Sequence, residues 1–222
     1  MTERILFAWS SGKDSAMALH TLMKDRRYEV AALLTTVTEE YDRVSMHGVR
    51  RELLERQADS IGIPLVKVFI TPGCTNDEYE SKMRDVLGHF KTAGVGSVAF
   101  GDIFLEDLKR YREENLAKIG MKAVFPVWKR DSLELANAFI GTGFKAVVTC
   151  VDSRCLSKDF AGRRFDRAFL SDLPPHVDPC GENGEFHSFA CGGPIFRHEI
   201  PVSAGEVVLR DEFFYFCDIT AS

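Results

Sequence analysis

The chain has 222 residues, 45% apolar and 27% charged, which is enough to bury a full core without disulfides or a structural metal. A formal charge of −5 gives no general attraction to phosphate backbones or anionic lipid, so neither nucleic acid nor a membrane is an expected partner. The opening apolar run, Ile5 to Trp9, is too short for a signal core, and no segment approaches 18 consecutive apolar residues, so a cytoplasmic protein is expected. Six cysteines, at 74, 150, 155, 180, 191 and 217, show no Cys-x-x-Cys spacing and read as reduced thiols.

In chain order, Ile5 to Trp9 reads as a strand and is followed by a helical period at Ala16, Leu19 and Met23. A strand at 30–37 precedes a second helical set, Leu54, Ala58 and Ile61. A strand at 65–70 then leads into a third set, Tyr79, Met83, Val86, Leu87 and Phe90. Val98 to Phe100 gives a fourth strand, helices are expected at about 107–119 and 132–140, and Ala146 to Val151 gives a fifth strand. None of the strand runs alternates cleanly with polar residues, as expected of strands covered on both faces. Alternating strands and helices predict an α/β fold, a doubly wound parallel sheet with right-handed crossovers. Beyond Asp152 a stretch rich in Pro, Gly and Cys, with a short helix at 165–170, predicts a smaller α+β subdomain. The expected division is therefore 1–152 and 153–222, with no linker composition between the parts.

The loop Ser10-Ser11-Gly12-Lys13-Asp14-Ser15 falls at the carboxyl end of the first strand, where open α/β sheets bind ligands. Gly12 permits close backbone approach, the start of the following helix favours an anion, the serines add donors and Lys13 adds a mobile cation. Asp14 among phosphate oxygens calls for a cation between them, which points to Mg²⁺; a plain helix cap is the competing reading. A Walker A loop is excluded because Phe7 stands where its first glycine belongs and Asp14 replaces the Ser or Thr. Gly94 to Ala99 has the spacing of a dinucleotide fingerprint but precedes a strand, so it reads as a helix-ending turn.

Ser10 to Ser15 resembles the Ser-Gly-Gly-x-Asp-Ser loop of N-type ATP pyrophosphatases, with Ser11 in place of a glycine. Further matches are Met46-His47-Gly48-Val49, Pro126 to Asp131, Phe160 to Arg163, Cys180-Gly181-Glu182-Asn183-Gly184-Glu185-Phe186-His187 and Gly193 to Phe196. The combination is similar to the diphthine-ammonia ligase family and its bacterial relatives, over nearly the whole chain. Asn183 stands where a second glycine is common, and His187 follows Phe186 where other members differ.

The resemblance implies an adenine nucleotide alpha hydrolase-like (Rossmann-like) domain with a C-terminal substrate domain, and an ATP-dependent ligase that cuts ATP to AMP and pyrophosphate. In the family, ATP adenylates a carboxylate of diphthine, a modified histidine on elongation factor 2, and ammonia displaces AMP to give an amide. It implies ATP bound by Ser10, Ser11, Gly12, Lys13, Asp14 and Ser15, with Mg²⁺ on Asp14. Lys13, Asp14, Glu182, Glu185 and His187 are the expected catalytic groups: the glutamates to orient an ammonium or cationic group and take a proton, His187 to shuttle one near neutral pH. Substrate contacts are expected from His47, Gly101, Asp102, Arg130, Gly181 and Gly184. Beside these stand plainer alternatives: a polar hairpin at 181–187, a core histidine at 187, helix entry at 47–48 and a cap at Asp102. ATP, ammonia and a carboxylate on an elongation factor 2-like protein or a small molecule are the implied partners, and homo-oligomerisation stays open. An RNA-modifying pyrophosphatase and a non-catalytic nucleotide-binding module are the competing functions.

Overall fold

The computed structural model describes residues 2–45 and 47–222, so Met46 of the 46–49 motif lies outside the described residues. The first half comprises β1 (Glu3–Ala8), α1 (Lys13–Lys24), β2 (Tyr28–Thr38), β3 (Arg43–Val44), α2 (Arg51–Ile61), β4 (Leu65–Ile70), α3 (Asn76–Thr92), β5 (Ser97–Ala99), α4 (Glu106–Lys118) and β6 (Lys122–Val124). The second comprises α5 (Ser132–Gly141), β7 (Lys145–Asp152), α6 (Arg167–Asp172), β8 (Phe186–Gly192), β9 (Val202–Arg210) and β10 (Phe214–Ala221).

Local signals set several boundaries. A capping box starts α3, in which Thr75 accepts from the Glu78 amide (3.3 Å) and Glu78 accepts from the Thr75 amide (3.0 Å). Gly62, at φ 78°, ends α2. Gly94 follows α3 at φ 84°, the helix-ending turn expected of it. Asp166 caps α6 through the Phe169 amide (2.9 Å), which moves that helix two residues beyond the expected 165–170.

Parallel pairs join β4 to β2, β2 to β1, β1 to β5 and β5 to β6, so the sheet runs β4-β2-β1-β5-β6, with the short β3 antiparallel to β2. The strand order reverses between β1 and β5, which is the switch point of a doubly wound sheet. Each face has its own apolar cover: Ile5, Phe7 and Trp9 pack with Leu19, Leu53 and Leu54, whereas Leu6, Leu34 and Val98 pack with Leu87 and Leu116. That double cover is why neighbouring residues of β1 are all apolar.

One expected strand belongs elsewhere. Ala146 to Val151 is part of β7, which lies not in the parallel sheet but in a second, antiparallel sheet ordered β8-β7-β10-β9. The fifth parallel strand is instead β6, three residues long and absent from the sequence reading. Seven of the eight residues of β7 are buried, so it reads as a continuous apolar run whichever sheet holds it. A division at 152 leaves β7 on the N-terminal side while its partners β8 and β10 come from the C-terminal side, so the second sheet is built by both. The larger core runs without a break from β1 to Phe139, Phe165, Phe169, Phe186 and Phe189 around it. All six cysteines are free thiols, and among the described residues no helix is long and apolar enough to cross a membrane.

Candidate active site

Between β1 and α1 the chain turns through Ser11 at φ 71° and enters the helix at Gly12, φ −88° and ψ 173°. Gly12 is therefore needed for space and not for its dihedrals: a Cβ there would lie 3.1 Å from His47 Cε1 and 3.2 Å from the Ser188 carbonyl. Ser10 and Ser15 share a 2.7 Å hydroxyl bond, and the Lys13 amide donates to Ser188 Oγ (3.2 Å) on β8. No side chain caps α1, which leaves the first-turn amides of Asp14 and Ser15 without a cap acceptor at the positive end of the helix. Gly101, just past β5, fits against that turn, since a Cβ on it would come within 3.0 Å of the Ser15 nitrogen.

Ser11 occupies the left-handed region at the position where the resembled loop has glycine, and its buried Oγ finds no hydrogen-bond partner among the described residues. A left-handed non-glycine residue costs about 1–2 kcal/mol, offset in part by roughly 0.5–1 kcal/mol of extra glycine entropy in the unfolded chain. Ser11→Gly is therefore expected to raise stability by roughly 0.5–1 kcal/mol, seen as a higher urea midpoint. A lower midpoint would rule out strain at this turn.

Gln57 of α2, fully buried, pins the loop from beneath. Its Oε1 accepts from Trp9 Nε1 (2.9 Å), and its Nε2 donates to the carbonyls of Ser11 (3.0 Å) and Ala190 (2.6 Å), joining β1, the loop and β8. Sequence reasoning passed over this residue. Its signal was a lone amide inside the apolar stripe Leu53, Leu54, Ala58 and Ile61, where a polar side chain needs internal partners.

Lys13, expected as a mobile cation, is locked in place. It is 2% exposed, donates to Asp14 Oδ2 (2.8 Å) and to the Cys180 carbonyl, and lies 4.9 Å above the Phe186 ring. Burial alone would lower its pKa, but the Asp14 carboxylate and other nearby negative groups outweigh that and hold it above the ordinary lysine value. Asp14 is pushed up by its own burial, against the opposing pull of Lys13.

At the switch point lies a cavity of about 380 Å³, lined by Ser10, Lys13, Asp14, Ser15, His47, Gly101, Asp102, Gly181, Glu182 and His187, with Ser188 and Arg112 beside them. The two ends of the chain thus meet at one site. Ser11 and Gly12 do not line it; they shape the turn behind it. Glu185 is 5% exposed and bound within its own loop, accepting from the amides of Asp178 and Asn183 (3.0 Å each) and from Asn183 Nδ2 (3.0 Å). Gly184 stands in open space at φ 91°, and Arg130 is exposed away from the cavity. Segment 181–187 is a turn feeding β8, not a hairpin.

Glu182 reaches across to the far wall, its Oε1 accepting from the Ile103 amide (2.7 Å). Burial, with the carboxylates of Asp14 and Asp102 nearby, pushes its pKa up to about 7 against that hydrogen bond. The folded state thus keeps a proton that the unfolded chain loses above its ordinary value of 4.5. Stability from this group falls as pH rises between those two values and levels off above the upper one. Glu182→Gln is expected to remove that decline, measured as urea midpoints at about pH 5 and about pH 8. An identical decline in both proteins would refute the assignment.

Asp102 is paired to Arg112 (2.7 and 3.1 Å), whose guanidinium lies 4.4 Å from the Phe100 ring, so its charge is met within the protein. His47 and His187 face each other with ring centroids 4.6 Å apart. Burial holds His47 well below its ordinary value and lowers His187 to about 4, so both rings are neutral near pH 7 and the expected titration of His187 at neutrality is corrected. Among the described residues no three His, Cys, Asp or Glu side chains gather to hold a metal.

A mostly parallel, doubly wound sheet with a hydroxyl-rich turn and an uncapped helix start at its switch point defines an α/β protein of the adenine nucleotide alpha hydrolase-like fold class. Within that class the chain belongs to the diphthamide synthase family: residues 3–123 match the diphthamide synthase N-terminal domain and residues 131–220 its C-terminal domain. It is 25% identical over 231 residues to the diphthine–ammonia ligase of Danio rerio, covering 94% of this chain and 90% of that one. The diphthine–ammonia ligase of Homo sapiens is 25% identical over 189 residues, 78% of this chain and 70% of its own. That of Schizosaccharomyces pombe is 25% identical over 92% of this chain, which spans 37% of the yeast protein's length.

Proposed function

We propose that this chain is a cytoplasmic ATP-dependent ligase that adenylates a carboxylate and converts it to an amide with ammonia. The observation that carries the reading is the cavity where the uncapped start of α1 meets Asp14, Glu182 and His187. A carboxylate oxygen bonds to the α-phosphorus while the bridge to the β-phosphorus breaks and pyrophosphate leaves. Ammonia then bonds to the acyl carbon, AMP departs and the surplus proton passes to a base. The Asp14 and Ser15 amides and the Ser10 and Ser15 hydroxyls bind phosphate oxygens, and Gly101 admits the chain close to them. Glu182, titrating near neutrality, is placed to take the proton from the attacking ammonia. His47 and His187, neutral, offer hydrogen bonds without added charge.

Asp14 fits a magnesium ion of the usual kind, which would be held by this carboxylate together with phosphate oxygens and waters. Bound there, Mg²⁺ would neutralise charge on the departing pyrophosphate. A sulfur relay on RNA finds no support in the thiols: burial and the Asp152 carboxylate push Cys150 up to about 12, and Cys155 is also raised.

The test is incubation with ATP, Mg²⁺, ammonium and a panel of carboxylates, including a diphthine-bearing peptide. AMP and pyrophosphate are expected, and both should be lost in Asp14→Ala. ADP as the sole product would overturn the reading.

A further inference from the structure

The antiparallel sheet has an open side. β9 is one of its outer strands and, among the described residues, pairs with β10 alone. The free N–H and C=O groups along such an edge are ready to take another strand, and proteins usually blunt them with lysine, proline or a bulge. β9 is nine residues long and contains neither lysine nor proline. Its one register irregularity lies between Ala204 and Val207, opposite Asp218, and from Val207 to Arg210 the pairing with β10 is regular. Val208 and Arg210, with Phe216 and Phe214 opposite them, line a cavity of about 580 Å³ on one face of the sheet. Val207 and Leu209 therefore lie on the other face, where Leu209 is 51% exposed. Glu206 and Arg210 are exposed as well.

We propose that β9 is a homodimer interface, at which two copies of the chain pair edge to edge and antiparallel about Val208, joining their two sheets into one. Antiparallel pairing of identical edges brings together residues whose N–H groups point outward alike, so facing residues are an even number apart and the two-fold axis passes through a residue. An axis at Glu206 would set two carboxylates face to face, and one at Leu209 would set Glu206 against Glu212. At Val207 it would leave Glu206 against Val208 and Arg210 against Ala204. At Val208 it sets Glu206 of each copy opposite Arg210 of the other, and Leu209 opposite Val207 on the second face. Cross-strand pairs of opposite charge and of apolar side chains stabilise a ladder, whereas like charges oppose it. One strand carries both halves of this pattern, so a second copy of the chain completes it without any other partner.

The test is sedimentation velocity of the full chain over a dilution series. The wild type is expected to pass from monomer to dimer as concentration rises. Glu206→Arg and Arg210→Glu each set like charges opposite one another at both ends of the ladder, and each is expected to weaken the dimer at least about tenfold. Both side chains are exposed, so neither change disturbs the core. Mixing the two variants in equal amounts brings an all-basic strand against an all-acidic one and is expected to restore dimers, which also shows that both variants fold. A wild type that stays monomeric at every concentration would overturn the interface. So would a dimer that persists in both single variants, or variants that do not recover on mixing.

Discussion

Lys13→Met is expected to lower stability by about 3 kcal/mol. Removing one member of a buried ion pair costs about 3–5 kcal/mol because the other charge is left uncompensated. The low end applies because the Asp14 side chain is 27% exposed and regains some hydration. Methionine keeps the length and the contact with Phe165 and Phe186, so the loss falls on the Cys180 carbonyl and the Asp14 carboxylate. The double variant Lys13→Met/Asp14→Asn is expected to regain more than half of the lost stability, because the orphan charge is gone. Urea denaturation of the two single variants and the double variant measures this. An unchanged midpoint in Lys13→Met would mean that the pair does not hold the two halves together.

Gln57→Leu comes next in size, with an expected loss of roughly 2–4 kcal/mol from leaving buried groups unsatisfied. Leucine fills most of the volume, but Trp9 Nε1 and the Ala190 carbonyl lose their side-chain partner, and the Ser11 carbonyl keeps only the Ala190 amide. The turn that presents Ser10 and Gly12 is then held on one side only, and weaker ATP binding should accompany the lost stability. Gln57→Glu keeps the acceptor for Trp9 but sets an oxygen against two carbonyls, so it is expected to be the worse of the two. Calorimetric titration with ATP, together with Trp9 fluorescence, separates the effects. ATP affinity unchanged in a folded Gln57→Leu protein would show that the turn holds its shape without this amide.

Much of the site was legible before any coordinates. The Ser10 to Ser15 turn, Gly101 past β5 and Glu182 within its resembled motif were singled out by residue type and all border one cavity, and the switch-point rule puts the first two at one sheet edge. Gln57 was not legible as a functional residue, because its partners Trp9, Ser11 and Ala190 lie 48, 46 and 133 residues away. The engagement of Lys13 and Asp102 was also hidden. In sequence Lys13 read as a mobile cation and Asp102 as a substrate contact or a cap, and Cys180 and Arg112 supply their partners only after folding.

By itself, the order of apolar runs determined a doubly wound sheet covered on both faces, because burial on both faces removes alternation and periodic helices must cross over it. Tertiary structure alone decided which sheet receives β7, since a fully buried strand has the same composition in a parallel or an antiparallel neighbourhood and only its hydrogen-bond partners differ. It also decided the charge states at the site, because burial and nearby charge, not residue type, push Glu182 up to about 7 and His187 down to about 4.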